Sequence, residues 1–113
     1  MIKIYHNQRC SKSRCTLDIL REKSVEIEVV DYQANPPNSD ELREILRMLN
    51  MKPIDLIRKG EAIFKENFKG EDLTDDEWMT VMIKHPKLIE RPIVVNNGKA
   101  VIGRPPENVE TIL

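Results

Sequence analysis

The chain opens with apolar and polar positions alternating over Met1–Tyr5 (MIKIY), which suits a short strand. The period then lengthens. From Ser11 to Lys23, Leu17 and Leu20 fall on one face and predict a helix. Alternation returns in the β-branched run Val25–Val30 (VEIEVV), a second strand, so this part predicts a βαβ unit with parallel strands and a right-handed crossover. The prolines of ANPPNSDEL can continue no regular element. Beyond them, Asn38 with Glu41 three residues on has the form of an N-cap and its reciprocal partner, opening a helix over Asp40–Leu49. Pro53 suits the first position of another short helix running through Ile54 to Ile57. Thr74 and Glu77 form a further capping box ahead of Trp78, Met79, Val81 and Met82, predicting a helix to about His85 that Pro86 stops.

The tail reverts to strands. RPIVV and KAVI are joined through Asn96, Asn97 and Gly98, and an Asn-Gly pair between two such runs predicts an antiparallel hairpin. After Gly103, Pro105 and Pro106 suit a helix start, with Val109, Ile112 and Leu113 as its apolar face. The order is β-α-β, a helical insertion, then β-β-α. That order predicts an α/β fold on a mixed four-stranded sheet, in a single domain over 1–113 with the insertion at about 38–90.

Composition narrows the function classes. Charged residues make up 33% of the 113 positions but balance as 18 basic against 19 acidic, so bulk electrostatics favour neither nucleic acid nor an anionic membrane. No apolar run approaches a bilayer span, and residues 1–20 lack the parts of a secretory signal, so the expected location is cytoplasmic. Two cysteines are too few for a disulfide scaffold. With His6 and His85 the only histidines and no C-x-x-C, no metal site is expected.

The candidate chemistry lies in HNQRCSKSRC. Cys10 falls at the turn from strand to helix, where unpaired amides and the positive end of the helix dipole favour thiolate. No acidic residue occurs from His6 to Leu17, and Arg9, Lys12 and Arg14 surround the cysteine, so it is expected to be a nucleophile at neutral pH. A small buried hydrophobe is the commoner fate of an isolated cysteine, but such polar neighbours argue against it. Cys15 lies ~7.5 Å further along the helix axis and ~140° around it, which does not suit a disulfide with Cys10. It is read as a half-buried spectator. Ser13 stands where a C-x-x-C would have its second thiol, so an external thiol must resolve any adduct on Cys10.

His6 has two open readings: a strand-end residue meeting its own hydrogen bonds, or a charge that tunes the thiolate. His85, at a predicted helix end, is read as capping carbonyls. Trp78, Met79 and Met82 are read as core, and the acidic run Glu71–Glu77 as a solvated helix start.

YHNQRCSKSR near the start, LIRKGE in the middle, and HPKLIERPIVV with GRPPENV near the end together resemble the glutaredoxin-coupled arsenate reductase family over essentially the whole chain. The resemblance implies a thioredoxin-like fold with a helical insertion and reduction of arsenate to arsenite by glutathione and glutaredoxin. It implies Cys10 as nucleophile, His6 and Ser13 as neighbours holding the thiolate, and Arg58, Arg91 and Arg104 as the oxyanion-binding arginines. It also implies a cis bond between Arg91 and Pro92. No bound cofactor is implied, glutathione being a co-substrate, and a monomer is expected. The chain departs from the family in Gln8, where proline is common, in Ser11 and Lys12, where a small uncharged pair is common, and in the added Cys15.

The chemistry of these residue types agrees with the resemblance. Guanidinium groups offer planar, two-pronged hydrogen bonds suited to a tetrahedral dianion, and three of them would offset its repulsion of an anionic sulfur. Taken singly, arginines are more often solvated or ion-paired. Two other readings use the same scaffold. One is a general glutathione-dependent thiol reductase. The other is an Spx-type regulator that binds RNA polymerase, which the C-x-x-S sequence disfavours because that switch uses a C-x-x-C pair.

Overall fold

The computed structural model describes residues 2–23 and 26–113, so Met1 and Val25, at the starts of the two expected N-terminal strands, lie outside the described residues. Strand β1 (Ile2–His6) runs into helix α1 (Ser11–Glu22), and β2 (Ile27–Asp31) returns beside β1 in parallel. The C-terminal hairpin consists of β3 (Ile93–Asn96) and β4 (Lys99–Ile102), with Asn96 paired to Lys99. Asn97 and Gly98 both take positive φ, 51° and 75°, as a two-residue turn of this hand requires. β3 lies antiparallel to β1, and the sheet order is β2-β1-β3-β4. A mixed four-stranded α/β sheet is therefore present.

One face of this sheet carries an apolar core. Ile2 and Ile4 of β1 share a face by the period of two, Val94 stands opposite Ile4, and Leu17 and Leu20 of α1 close over them with Val109. Val109 belongs to a segment predicted to be an α-helix, but Pro106–Ile112 winds as a 3-10 helix. β2 is an edge strand: Val29 is 45% exposed and no residue of it is fully buried, although Ile27 packs half-buried against the core cluster.

By their contacts the residues fall into two compact units, one reaching Asn35 and resuming at Arg91–Leu113, the other Pro36–Glu90. The second unit is helical: α2 (Ser39–Leu49), α3 (Pro53–Leu56), α4 (Ala62–Asn67), α5 (Asp75–Lys84) and a 3-10 turn over Pro86–Leu88. Both expected capping boxes form, Asn38 with Glu41 and Thr74 with Glu77. Trp78, Met79 and Met82 are buried, and Trp78 stacks on Phe64 at 6.0 Å between ring centroids. The ring of His85 lies 5.9 Å from that of Phe68, so it packs on an aromatic neighbour.

Candidate active site

The pairing pattern alone brings distant segments to one edge of the sheet. The loop carrying Cys10 leaves the C-terminal end of β1, where His6 pairs with Asp31, the last residue of β2. β3 is antiparallel to β1, so Arg91 and Pro92 enter at this same edge, beside the Tyr5–Ile93 pair. β4 turns back, so Ile102, paired with Ile93, delivers Gly103 and Arg104 there too. The bonds Arg91–Pro92 and Arg104–Pro105 are both cis, the second unforeseen in the sequence.

Cys10 is the N-cap of α1 and keeps an extended backbone (φ −95°, ψ 121°) while its carbonyl accepts the first helical bond from Arg14 N–H at 3.0 Å. A small hydrogen-bonded frame sets the loop. Asn7 O accepts from Cys10 N–H at 3.0 Å, and Asn7 Oδ1 accepts from Arg9 N–H at 3.0 Å, a side-chain turn of the kind asparagine favours. Ser13 is wholly buried; its Oγ accepts from Asn7 N–H at 3.0 Å and lies 2.6 Å from His6 Nδ1. His6 Nε2 lies 2.7 Å from Gln8 Oε1. In the neutral ring, Ser13 Oγ–H therefore donates to Nδ1 and Nε2–H donates to Gln8. Both ring nitrogens of His6 are thus engaged, by Ser13 and by Gln8, within the loop that carries Cys10.

Cys10 is buried, with 8% of the residue exposed, but it is not part of the apolar core cluster. Arg104 Nη2 donates to Sγ at 3.3 Å, and Arg104 Nε donates to Arg91 O at 2.8 Å, so one guanidinium ties the cysteine to the β3 entrance. Burial pushes the Cys10 thiol up and is the largest single influence on it. Opposing it are the Ser13 amide, a hydrogen bond and the charge of Arg91, and the Lys12 amide, which together leave the pKa below its ordinary value. The two amides fall short of formal capping geometry, yet they lie where they favour the anion. Arg104 is not among these strongest influences, although a guanidinium 3.3 Å from sulfur itself favours thiolate.

Two expectations need correction. Arg9, Lys12 and Arg14 have exposed side chains, and Arg14 Nη1 is spent on Gln8 O at 2.8 Å; the cations that hold the thiol come from the far end of the chain. Cys15 is exposed, not half-buried, because the buried stripe of α1 runs through Ser13, Thr16, Leu17 and Leu20. Arg58 belongs to the helical unit. There its Nη1 lies 3.3 Å from Glu61 Oε1 and its Nε 3.6 Å from Glu90 Oε1, while its amide donates to Leu88 O at 2.7 Å.

Sequence reading missed two supports of the site. Thr16, wholly buried on α1, donates from Oγ1 to Lys12 O at 2.8 Å and approaches Gly103 O at 3.4 Å, so α1 touches the backbone just before Arg104. Gly103 has no room for a side chain there: a Cβ would lie 2.5 Å from Thr16 Oγ1 and 2.9 Å from Pro92 Cγ. Only the glycine next to Arg104 in GRPPEN hinted at this. Tyr32, just beyond β2, was also passed over.

Residues 5–112 match the sequence profile of the ArsC family. Among curated relatives, the chain is 49% identical over 114 aligned positions to the uncharacterized protein YfgD of Escherichia coli K12, covering 99% of this chain and 96% of that one. It is 42% identical to an arsenate reductase of Neisseria meningitidis serogroup A, covering 99% and 97%. Among solved structures, an arsenate reductase from Vibrio cholerae superposes with a TM-score of 0.93 at 43% identity, covering 99% of this chain and 97% of that one. The architecture is thioredoxin-like.

Proposed function

The chain belongs to the ArsC family, and on that footing we propose that it reduces arsenate to arsenite through the Cys10 thiolate, with glutathione and glutaredoxin supplying the electrons. The observation that carries this reading is the sulfur at a helix N-terminus with Arg104 Nη2 at 3.3 Å and a pKa lowered partly by Arg91. An anionic sulfur with guanidinium groups beside it combines a nucleophile with donors for an oxygen-rich anion, which in water would repel the sulfur. Relatives named arsenate reductase at 42% and 39% identity support the same substrate.

In this reading, arsenate binds at Arg91 and Arg104, and the Cys10 thiolate forms a sulfur–arsenic bond as one oxygen leaves as water. One glutathione thiol then adds to arsenic with loss of a second water, and a glutaredoxin thiolate attacks that glutathione sulfur, so the sulfur–arsenic electron pair stays on arsenic, As(V) becomes As(III) and a glutaredoxin–glutathione mixed disulfide leaves. Water displaces the Cys10 thiolate from As(III) to release arsenite, and a second glutathione frees glutaredoxin as glutathione disulfide. No cofactor is bound at any stage. His6 and Ser13 hold the loop that aims the sulfur, and Arg58 is the third arginine on the strength of the sequence resemblance alone. The protein acts in the cytoplasm as a monomer.

A coupled assay with arsenate, glutathione, glutaredoxin and NADPH tests the proposal. Turnover that vanishes in Cys10→Ser is the expected result. Turnover equal to that control contradicts it, and activity on glutathione mixed disulfides without arsenate turnover selects a general thiol reductase instead.

A further inference from the structure

Tyr32 follows β2 (Ile27–Asp31) directly, and the pairing of Asp31 with His6 puts it at the sheet edge from which the Cys10 loop departs. The turn is held from Asp31. Its Oδ1 accepts from Gln33 N–H at 3.2 Å and Ala34 N–H at 3.4 Å, and its carbonyl accepts from Asn35 N–H at 2.8 Å. Tyr32 is 1% exposed, and its hydroxyl oxygen is buried without a hydrogen-bond partner among the described residues. Burial pushes this phenol up; the charge of Arg91 and then the polar side chain of Gln33 oppose that, the charge of Cys10 reinforces it, and the polar side chain of Asn7 pulls it down. Those two side chains are near, but neither reaches hydrogen-bonding geometry with the hydroxyl.

A buried donor left unmet carries its full desolvation penalty, and such a group in a folded protein calls for an explanation. Cys10 does not supply one, since the sulfur is held by amides and guanidinium groups. The hydroxyl instead feels the charges of the same groups, Arg91 and Cys10, that the proposed function assigns to oxyanion chemistry, and it lies beyond the β2 end of the sheet edge they share. An oxygen of a tetrahedral anion beside Arg91 would meet it. Kept neutral by burial, the phenol has a proton to donate, and it adds no charge to repel the anion.

We propose that Tyr32 Oη donates a hydrogen bond to an oxygen of the oxyanion bound at Arg91 and Arg104, making it a further substrate-contacting residue of this site. The inference rests on the oxyanion reading. It also makes an unusual demand on stability: in the anion-free protein the hydroxyl should not stabilise the fold, because no group among the described residues receives it.

Protection of Cys10 from iodoacetamide by arsenate tests this, in a Cys15→Ser background where Cys10 is the only thiol. Tyr32→Phe should leave the arsenate-free alkylation rate unchanged and the arsenate-free thermal midpoint equal or higher. It should raise the half-protecting arsenate concentration about tenfold, the scale of one lost hydrogen bond to a charged partner. Equal protection of both proteins overturns the role of Tyr32 and leaves the oxyanion site standing. A thermal midpoint lowered by several degrees without arsenate, or failure to fold, also overturns it, because the hydroxyl would then be bonded within the protein. Absence of protection in the parent protein defeats the oxyanion reading itself.

Discussion

The thiol of Cys10 is poised by groups that differ in how far along the chain they lie. The Lys12 and Ser13 amides are local and follow from an N-cap position that the strand-to-helix change in the sequence predicts. Arg91 and Arg104 are distant, and only the resemblance of ERPIVV and GRPPEN to a family pattern singled them out, since nothing in local spacing pairs residues this far apart. The local cations were the legible signal and the wrong one: Arg9, Lys12 and Arg14 point outward, where solvent screens them. Arg91→Ala should therefore raise the apparent pKa of Cys10 alkylation, while Arg14→Ala should hardly move it. A pH series of alkylation rates on both variants measures this, and the opposite ranking would return the credit to the local charges. Gly103 belongs to this scale as well. Gly103→Ala sets a methyl 2.5 Å from Thr16 Oγ1, 3.1 Å from Thr16 Cγ2 and 2.9 Å from Pro92 Cγ. Overpacking of this kind costs about 1–3 kcal/mol, readable by urea unfolding. Because Arg104 is the next residue, Cys10 alkylation at neutral pH should slow as well.

Elements whose determinants are local were legible. The two capping boxes, the alternation of β1 and the Asn97-Gly98 turn each write their structure in a few neighbouring residues, and all formed. Helix α4 did not announce itself. Its six residues are too few for a period to emerge, and Glu61 ahead of it provides no side-chain cap. The C-terminal segment was read as a helix from its prolines and apolar spacing, which do not distinguish α from 3-10 winding over seven residues. The box at α5 offers a quantitative check. Thr74→Ala removes the acceptor of Glu77 N–H, a bond of 3.2 Å, and should cost about 1 kcal/mol in denaturant unfolding. A cost near zero would mean that water replaces the cap fully.

At the scale of the molecule, the sheet order does the assembling. Parallel β1–β2 and antiparallel β1–β3–β4 bring the ends after β1, β2 and β4 and the start of β3 to one edge, so the cysteine, Tyr32 and two arginines meet by topology. The sequence foretold the strands and the senses of the β1–β2 and β3–β4 pairs but not their lateral order, which long-range pairing decides. Arg58 belongs to the helical unit, where it has its own carboxylate partners. The central claim is that this edge holds one sulfur as an anion near neutral pH. It is tested most directly by the pH dependence of Cys10 alkylation in the Cys15→Ser protein, native and in denaturant. Folding lowers the pKa, so the native rate should persist as pH falls below the ordinary thiol range and decline only through the lowered value, whereas the denatured chain should titrate as a free thiol. A native profile that coincides with the denatured one, or is displaced to higher pH, would contradict the account.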